Sequence, residues 1–121
     1  MTAFLIVRAE VDPAARDEFD TWYQDVHLRR IAAAYGAAGA WRGWSAVHDN
    51  VHVACYEFAD LADVDRVTAS DERKRMVGEF ARRWEGRATW TREVVETIQE
   101  IGTAAPAGRG RDGDRGPPRS S

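Results

Sequence analysis

Apolar residues on both faces of the first predicted strand constrain this fold more than any other feature. Successive side chains of an extended segment point to opposite faces. One face of the segment carries Ala3, Leu5, Val7, Ala9 and Val11. The other face begins with Phe4 and Ile6 before it turns polar at Arg8 and Glu10. The strand therefore needs a cover on both faces for at least half its length, so its sheet must have a partner on each side.

Helical patterns follow this strand and return in the second half of the chain. Asp12 is a suitable N-cap and Pro13 suits the first helical position, which predicts a helix that ends by Gly36. Its stripe, at steps of three and four residues, is Phe19, Trp22, Tyr23, Val26 and Arg30. A short helix is predicted from Asp60, and a longer one follows with Ser70 as its cap. The apolar stripe of the longer helix is Met76, Val77, Phe80, Ala81 and Trp84.

Three further strands complete the pattern. Ala40–His48 and Val51–Phe58 flank the turn-prone pair Asp49–Asn50, which predicts a hairpin with a two-residue loop. Arg87–Ile98, rich in Thr and Val, follows Gly86 as the final strand.

The two-residue loop fixes the predicted register of the hairpin. It places Trp44 opposite Cys55 and Arg42 opposite Glu57. We interpret the Arg42–Glu57 pair as a cross-strand ion pair, although Arg42 is also able to bind an anionic substrate group.

The order β-α-β-β-α-β over residues 1–101 predicts an α+β, ferredoxin-like domain with a four-stranded antiparallel sheet. In that arrangement two helices cover one face of the sheet. The second face is also apolar here, and a twofold partner that stacks its own sheet on it is the simplest cover. The sequence therefore predicts a homodimer.

Composition separates residues 102–121 from this domain. They hold five glycines, three prolines and four arginines but no large apolar side chain, which predicts a disordered tail. Because the tail carries +2 of the chain's net charge of −3, residues 1–101 carry −5, which argues against nucleic acid as the main partner. We find no apolar run long enough for a membrane span and no signal-peptide pattern, and Cys55 is the single cysteine. We therefore expect a cytoplasmic protein without a membrane partner.

The segment Phe19–Leu28 resembles the F-x-x-W-Y-x-x-x-H-L segment of dimeric α/β-barrel proteins, and in particular their EthD-like branch. The small-residue step Thr68–Asp71 into the second long helix resembles the same family. The resemblance covers residues 3–98. It implies two ferredoxin-like protomers that pack their sheets into a barrel. It also implies a cofactor-free enzyme that carries out proton-transfer chemistry of the cyclase, dehydratase or monooxygenase type on a small hydrophobic or aromatic, polyketide-like molecule.

His27 and Tyr23 are the candidate catalytic residues. The pKa of a histidine lets it act as an acid or a base near neutral pH, and Tyr23 lies one helical turn before it. Together they could orient a hydroxyl or enol group and move its proton. The alternative is that His27 is a structural residue, bonded to a backbone carbonyl or to the neighbouring protomer.

Aromatic and basic residues supply the candidate substrate-binding set. Five tryptophans in a small domain are able to line a pocket for a flat apolar ligand, although they also suit ordinary core and dimer packing. The set is Trp22, Arg30, Trp44, His52, Phe80 and Trp84. With the two-residue loop, His48 and His52 point to opposite faces and cannot share an ion, so we predict no metal site.

Two other functions stay open at this point. A non-catalytic dimer that binds a ligand or assists another enzyme needs the same fold and cleft but no ionisable residue inside the cleft. Haem-linked chemistry, which occurs in some relatives, would need a histidine that faces a roomy cavity. The prediction carried forward is an enzyme without a cofactor.

Overall fold

A computed structural model describes residues 1–102 of the chain. The predicted tail, residues 102–121, lies outside this part apart from Gly102. The strands are β1 (Ala3–Val11), β2 (Gly39–Trp44), β3 (Val51–Phe58) and β4 (Ala88–Glu96). The helices are α1 (Arg16–Trp22), α2 (Leu28–Tyr35), α3 (Leu61–Thr68) and α4 (Asp71–Trp84). A 3-10 turn (Pro13–Ala15) leads into α1, and a π-helical turn (Tyr23–His27) joins α1 to α2.

The helix ends lie where the sequence predicts them. The Asp12 carboxylate accepts the backbone N–H of Ala14 at 2.9 Å, and the Ser70 hydroxyl accepts that of Arg73 at 3.1 Å. At the other end of α2, Gly36 has a φ of 67°, a left-handed conformation that glycine adopts without strain.

The four strands form one antiparallel sheet in the order β2-β3-β1-β4. With the helices packed on one face, this is the ferredoxin-like α+β fold that the sequence predicts. The core between helices and sheet is aromatic at its centre, where the Phe19 ring contacts Tyr23, Phe80 and Trp84. Phe19 and Trp84 are both completely buried. In the described residues no helix has the length and apolar character that a membrane span needs.

The predicted hairpin register is wrong by three residues. Trp44 pairs with His52, and Arg42 pairs with Ala54 instead of Glu57. The loop holds six residues, not two, and begins at Ser45, whose N–H bonds the carbonyl of Val51.

The Ser45 hydroxyl is the physical reason for the longer loop. It accepts the backbone N–H groups of Val47 at 3.1 Å and His48 at 2.9 Å, so neither residue continues the strand. Because three is an odd number, the shift also exchanges the two faces of β2 relative to β3. Trp44 and His52 thus lie together on the face that the helices cover.

No helix of residues 1–102 covers the second face of the sheet. Strand alternation and the observed register place on it Phe4, Ile6, Trp41, Val51, Val53, Cys55 and Val95. We call these seven residues the open face. Trp41 is 57% exposed and Val95 is 38% exposed. Apolar side chains therefore lie on both sides of the sheet, as the sequence of β1 indicates, and Glu57 and Glu93 share the second side with them.

Candidate active site

The π-helical turn sets the position of His27. In an α-helix, residues five apart lie about 140° apart around the axis. The wider π turn brings such residues close together, and the rings of Trp22 and His27 stack at 4.1 Å with an angle of 20° between their planes. The Tyr23 ring contacts the imidazole edge-on, with ring centroids 4.8 Å apart. The turn thereby packs His27 against two aromatic rings.

His27 and Tyr23 line a cavity of about 90 Å³ between the helices and the sheet. Helix α2 and the π turn form one wall, α4 forms the second, and β1, β3 and β4 form the floor. The other lining residues are Leu5, Val7, Ile31, Tyr35, Tyr56, Arg73, Met76, Val77, Phe80, Trp90 and Arg92. The cavity thus combines an apolar floor with a few hydroxyl and guanidinium groups. It is far too small for a porphyrin, so it does not fit haem.

His27 lines the cavity and also contains a buried polar atom that is unsatisfied within residues 1–102. The residue is only 6% exposed, and its Nδ1 has no hydrogen-bond partner among the described residues. Burial lowers the pKa of His27 to about 3, and the positive charge of Arg30 adds to the effect. The imidazole is therefore neutral at physiological pH. A buried nitrogen without a hydrogen bond costs stability.

Tyr23 stays protonated throughout the physiological range. Burial raises its pKa far above the usual value, and the hydrogen bond from the Tyr56 hydroxyl offsets this only in part. Burial raises the pKa of Tyr56 as well. The cavity therefore contains phenolic hydroxyl groups that are able to donate hydrogen bonds but do not act as bases at neutral pH.

A polar cluster behind Tyr23 contains His52. Asp20 Oδ1 accepts the Trp44 Nε1–H and the Arg42 Nη1–H, each at 2.8 Å. The Arg42 Nη1 also lies 3.3 Å from His52 Nε2. Since a guanidinium only donates, His52 Nε2 must accept, which places the imidazole proton on Nδ1. The His52 ring packs against the Tyr23 ring at 4.4 Å, so the cluster supports Tyr23 from behind.

The electrostatics of this cluster follow from its contacts. Hydrogen bonds from Trp44 and then Arg42 hold the pKa of Asp20 below its usual value. Burial, followed by the charge of Arg42, lowers the pKa of His52 to about 4. The predicted ion pair of Arg42 with Glu57 is wrong, because the shifted register turns Arg42 to the helix face and to Asp20. His52 and Trp44 thus belong to a structural network, and neither lines the cavity.

The remaining predicted binding residues divide between packing and the cavity. Phe80 lines the cavity, whereas Trp22 stacks on His27 from outside it. Trp84 is buried in the core, and its Nε1 also has no partner within residues 1–102. Arg30 forms a surface ion pair with Glu79 at 2.8 Å.

The sequence interpretation missed Tyr35, Tyr56, Arg73 and Arg92. Arg73 precedes Met76, Val77 and Phe80 on one face of α4, and Arg92 lies two residues from Trp90 on the same face of β4. These spacings place each arginine on the same face as apolar cavity residues, which the sequence alone shows. A search for apolar stripes does not find them, because arginine is charged. Within residues 1–102, no cluster of three or more His, Cys, Asp or Glu side chains is suited to hold a metal ion.

The fold of this chain is similar to that of several solved structures. No family model and no curated protein matches the chain. A mutant of SnoaB, a cofactor-independent oxygenase from Streptomyces nogalater, matches with a TM-score of 0.61 at 17% identity, over 84% of this chain and 98% of SnoaB. A dimeric ferredoxin-like protein from an uncultured marine organism matches with a TM-score of 0.65 at 12% identity, over 83% and 98% of the two chains. The chain shares their ferredoxin-like fold.

HapK from Hahella chejuensis gives the same result, with a TM-score of 0.62 at 17% identity over 85% of this chain and 99% of HapK. Identities this low show the fold alone. The chemistry of this chain must therefore be argued from its own cavity.

Proposed function

We propose that the protein is a cofactor-independent enzyme that moves a proton on a small aromatic or apolar molecule bound beside His27. The observation that carries this proposal is the buried, neutral imidazole of His27, one of the residues that line the cavity. A neutral imidazole nitrogen that a ligand reaches accepts a hydrogen bond or a proton from a hydroxyl or an acidic C–H group. SnoaB, a solved structure of the same fold, is described as a cofactor-independent oxygenase, which supports this class of chemistry.

In the proposed reaction, a proton passes from the substrate to His27 and leaves an enolate or phenolate in the cavity. On this proposal neutral Tyr23 donates a hydrogen bond to the oxyanion that forms there. In the protein without a ligand the pKa of His27 is about 3, so the imidazole is a weak base on its own. A substrate anion next to the imidazolium would raise that pKa, because opposite charges attract strongly where water is excluded. Cyclase or dehydratase chemistry of the EthD-like type can proceed from such an anion without an oxidant, and monooxygenase chemistry can proceed from it with dioxygen from the air as the oxidant.

A substrate screen tests the proposal. We expect at least one phenolic or polyketide-like aromatic compound to be converted when it is incubated in air with the purified protein and no added cofactor. Mass spectrometry of the products is the measurement, and His48→Ala, which alters an exposed loop histidine, is the matched control that keeps activity. Compounds that shift the His27 resonances in NMR spectra but are never converted would contradict an enzymatic role.

The same low pKa favours the alternative, a non-catalytic ligand-binding dimer. An imidazole with a pKa of about 3 accepts a hydrogen bond well but a full proton poorly. On this hypothesis His27 orients a ligand and no bond changes. Conversion of a bound compound by the wild type, and its loss in a His27 variant, separates the two functions.

We propose further that a second copy of the chain covers the open face. One solved structure of this fold is described as a dimeric ferredoxin-like protein, and the open face presents apolar residues such as Trp41 to solvent in a single chain. The helices and the partner would then divide the two faces of the sheet, which leaves the cavity free for a ligand.

A charge on the open face tests the dimer. We expect Val53→Glu to convert the protein to a monomer in sedimentation velocity experiments, because a buried unpaired carboxylate costs several kcal/mol. Val26→Glu is the matched control, since Val26 is exposed on the helical side, and it should leave the dimer intact. A Val53→Glu protein that still sediments as the wild-type dimer would show that this face is not the interface.

A further inference from the structure

Two arginines at the cavity have no carboxylate partner among the residues that the structure describes. Arg73 on α4 and Arg92 on β4 both line it, from two different walls. Within residues 1–102, neither guanidinium forms a salt bridge or a side-chain hydrogen bond. Several other arginines do pair with a carboxylate: Arg30, Arg42, Arg66, Arg75 and Arg87. The two guanidinium groups at the cavity are thus free to bind a ligand.

The charges around Arg73 and Arg92 favour the binding of an anion between them. Burial and then the neighbouring charge of Arg92 lower the pKa of Arg73, which indicates that the two cations are close enough to repel each other. Tyr35 is the next polar group, and the charges of Arg73 and Arg92 both act on its hydroxyl. Glu72 is the acidic group that also acts on Tyr35, but its carboxylate is bound to Arg75 at 2.9 Å. An anion between the two arginines would relieve their repulsion.

The rest of the cavity lining is apolar and favours a ligand that also has an apolar part. Phe80 and Trp90 pack edge-to-face at 4.8 Å, and Met76 and Leu5 complete an apolar surface beside the arginines. A flat ring fits such a surface, and a planar carboxylate matches the fork of a guanidinium. A hydrated inorganic anion would leave the apolar surface unused.

Building on the proposed function, we propose that the substrate is a small aromatic carboxylate. Its ring lies against Phe80 and Trp90, and its carboxylate binds between Arg73 and Arg92. The arginines then determine specificity, and they hold the substrate so that its reacting part lies in the cavity with His27. No covalent step is required for this recognition.

Benzoate and benzamide provide the test, because they have the same shape and differ in charge. We expect the wild-type protein to bind benzoate about tenfold more tightly than benzamide at low ionic strength. Arg73→Gln and Arg92→Gln should each weaken benzoate binding about threefold or more and leave benzamide binding unchanged, and the double variant should lose the preference. Arg29→Gln, which alters an exposed arginine on α2, is the control that keeps it. Binding is followed by NMR through the Cε1 proton of His27, with thermal unfolding to verify that each variant is folded.

The outcomes separate this inference from the proposed function. Equal affinities for benzoate and benzamide, or a preference that survives in the double variant, would overturn the carboxylate site and leave the cavity's role intact. Displacement of benzoate by inorganic phosphate at equal concentration would also overturn it, because the site would then recognise any anion. If neither compound perturbs His27, the proposed function itself fails. The salt dependence of benzoate binding to the wild type gives an independent test should a variant fail to fold, since an affinity that salt leaves unchanged would contradict the site.

Discussion

Replacement of His27 by alanine is expected to lower kcat by about 10²–10⁴-fold with the compound identified in the substrate screen, which is the usual contribution of a general acid or base. The fold should survive, because the substitution removes a buried polar atom that has no partner and so relieves part of the cost of the lost packing. His27→Phe keeps an aromatic ring against Trp22 and separates the loss of chemistry from the loss of packing. Steady-state kinetics on both variants is the measurement, with His48→Ala as the active control.

The pH profile adds a readout that a packing role would not produce. Because the pKa of His27 in the free protein is about 3, the imidazole is already unprotonated at pH 5. We therefore expect kcat/KM to be constant between pH 5 and pH 8 wherever the protein is folded and the substrate keeps one charge state. An unchanged kcat in His27→Ala, or a profile that falls with a pKa near 6.5, would contradict the proposed role.

Local chemistry explains why much of the fold was predictable. The alternation of Ala3–Val11, the caps at Asp12 and Ser70 and the glycine at Gly36 each act within a few residues, so their effect is visible in the sequence. The hairpin register was not visible in the same way. Asp49–Asn50 carries a turn signal, but the Ser45 hydroxyl competes for the next two free amides and lengthens the loop. A weak local preference thus decided the pairing of two strands.

The candidate site was predictable only in part, because it depends on tertiary contacts. The spacing of Tyr23 and His27 on one helix placed both at the cavity wall. The π turn that stacks His27 on Trp22 has no residue-level signal. Arg73 and Arg92 are nineteen residues apart in the sequence, on α4 and β4, so their meeting at one cavity needs the folded chain. The same is true of Arg42, whose partner is on α1 and not across the hairpin.

Acidification from pH 7 to pH 5 is expected to destabilise the protein by about 3–4 kcal/mol through two buried histidines. Folding lowers the pKa of His27 from 6.5 to about 3 and that of His52 to about 4. Between those values and about 6.5 the unfolded chain binds more protons than the folded one, so stability falls as pH falls through this window. Each histidine contributes about 1.4 kcal/mol per pH unit once the pH is well below 6.5. The window from pH 7 to pH 5 also avoids the carboxylates, including Asp20, whose lowered pKa matters only in stronger acid.

Urea unfolding at pH 7 and pH 5 measures this loss of stability. One variant shows how much of the loss is due to His27. His27→Phe removes one of the two titrating groups, so the loss of stability between the two pH values should shrink by about 2 kcal/mol. His48→Ala removes an exposed histidine and should leave the wild-type dependence unchanged, whether or not the site is catalytic. If the wild type and His27→Phe lose the same free energy of unfolding, the pKa of His27 is the same in the folded and the unfolded protein. His27 would then not be the buried, neutral imidazole on which the proposed reaction rests, so this measurement tests that premise without any knowledge of the substrate.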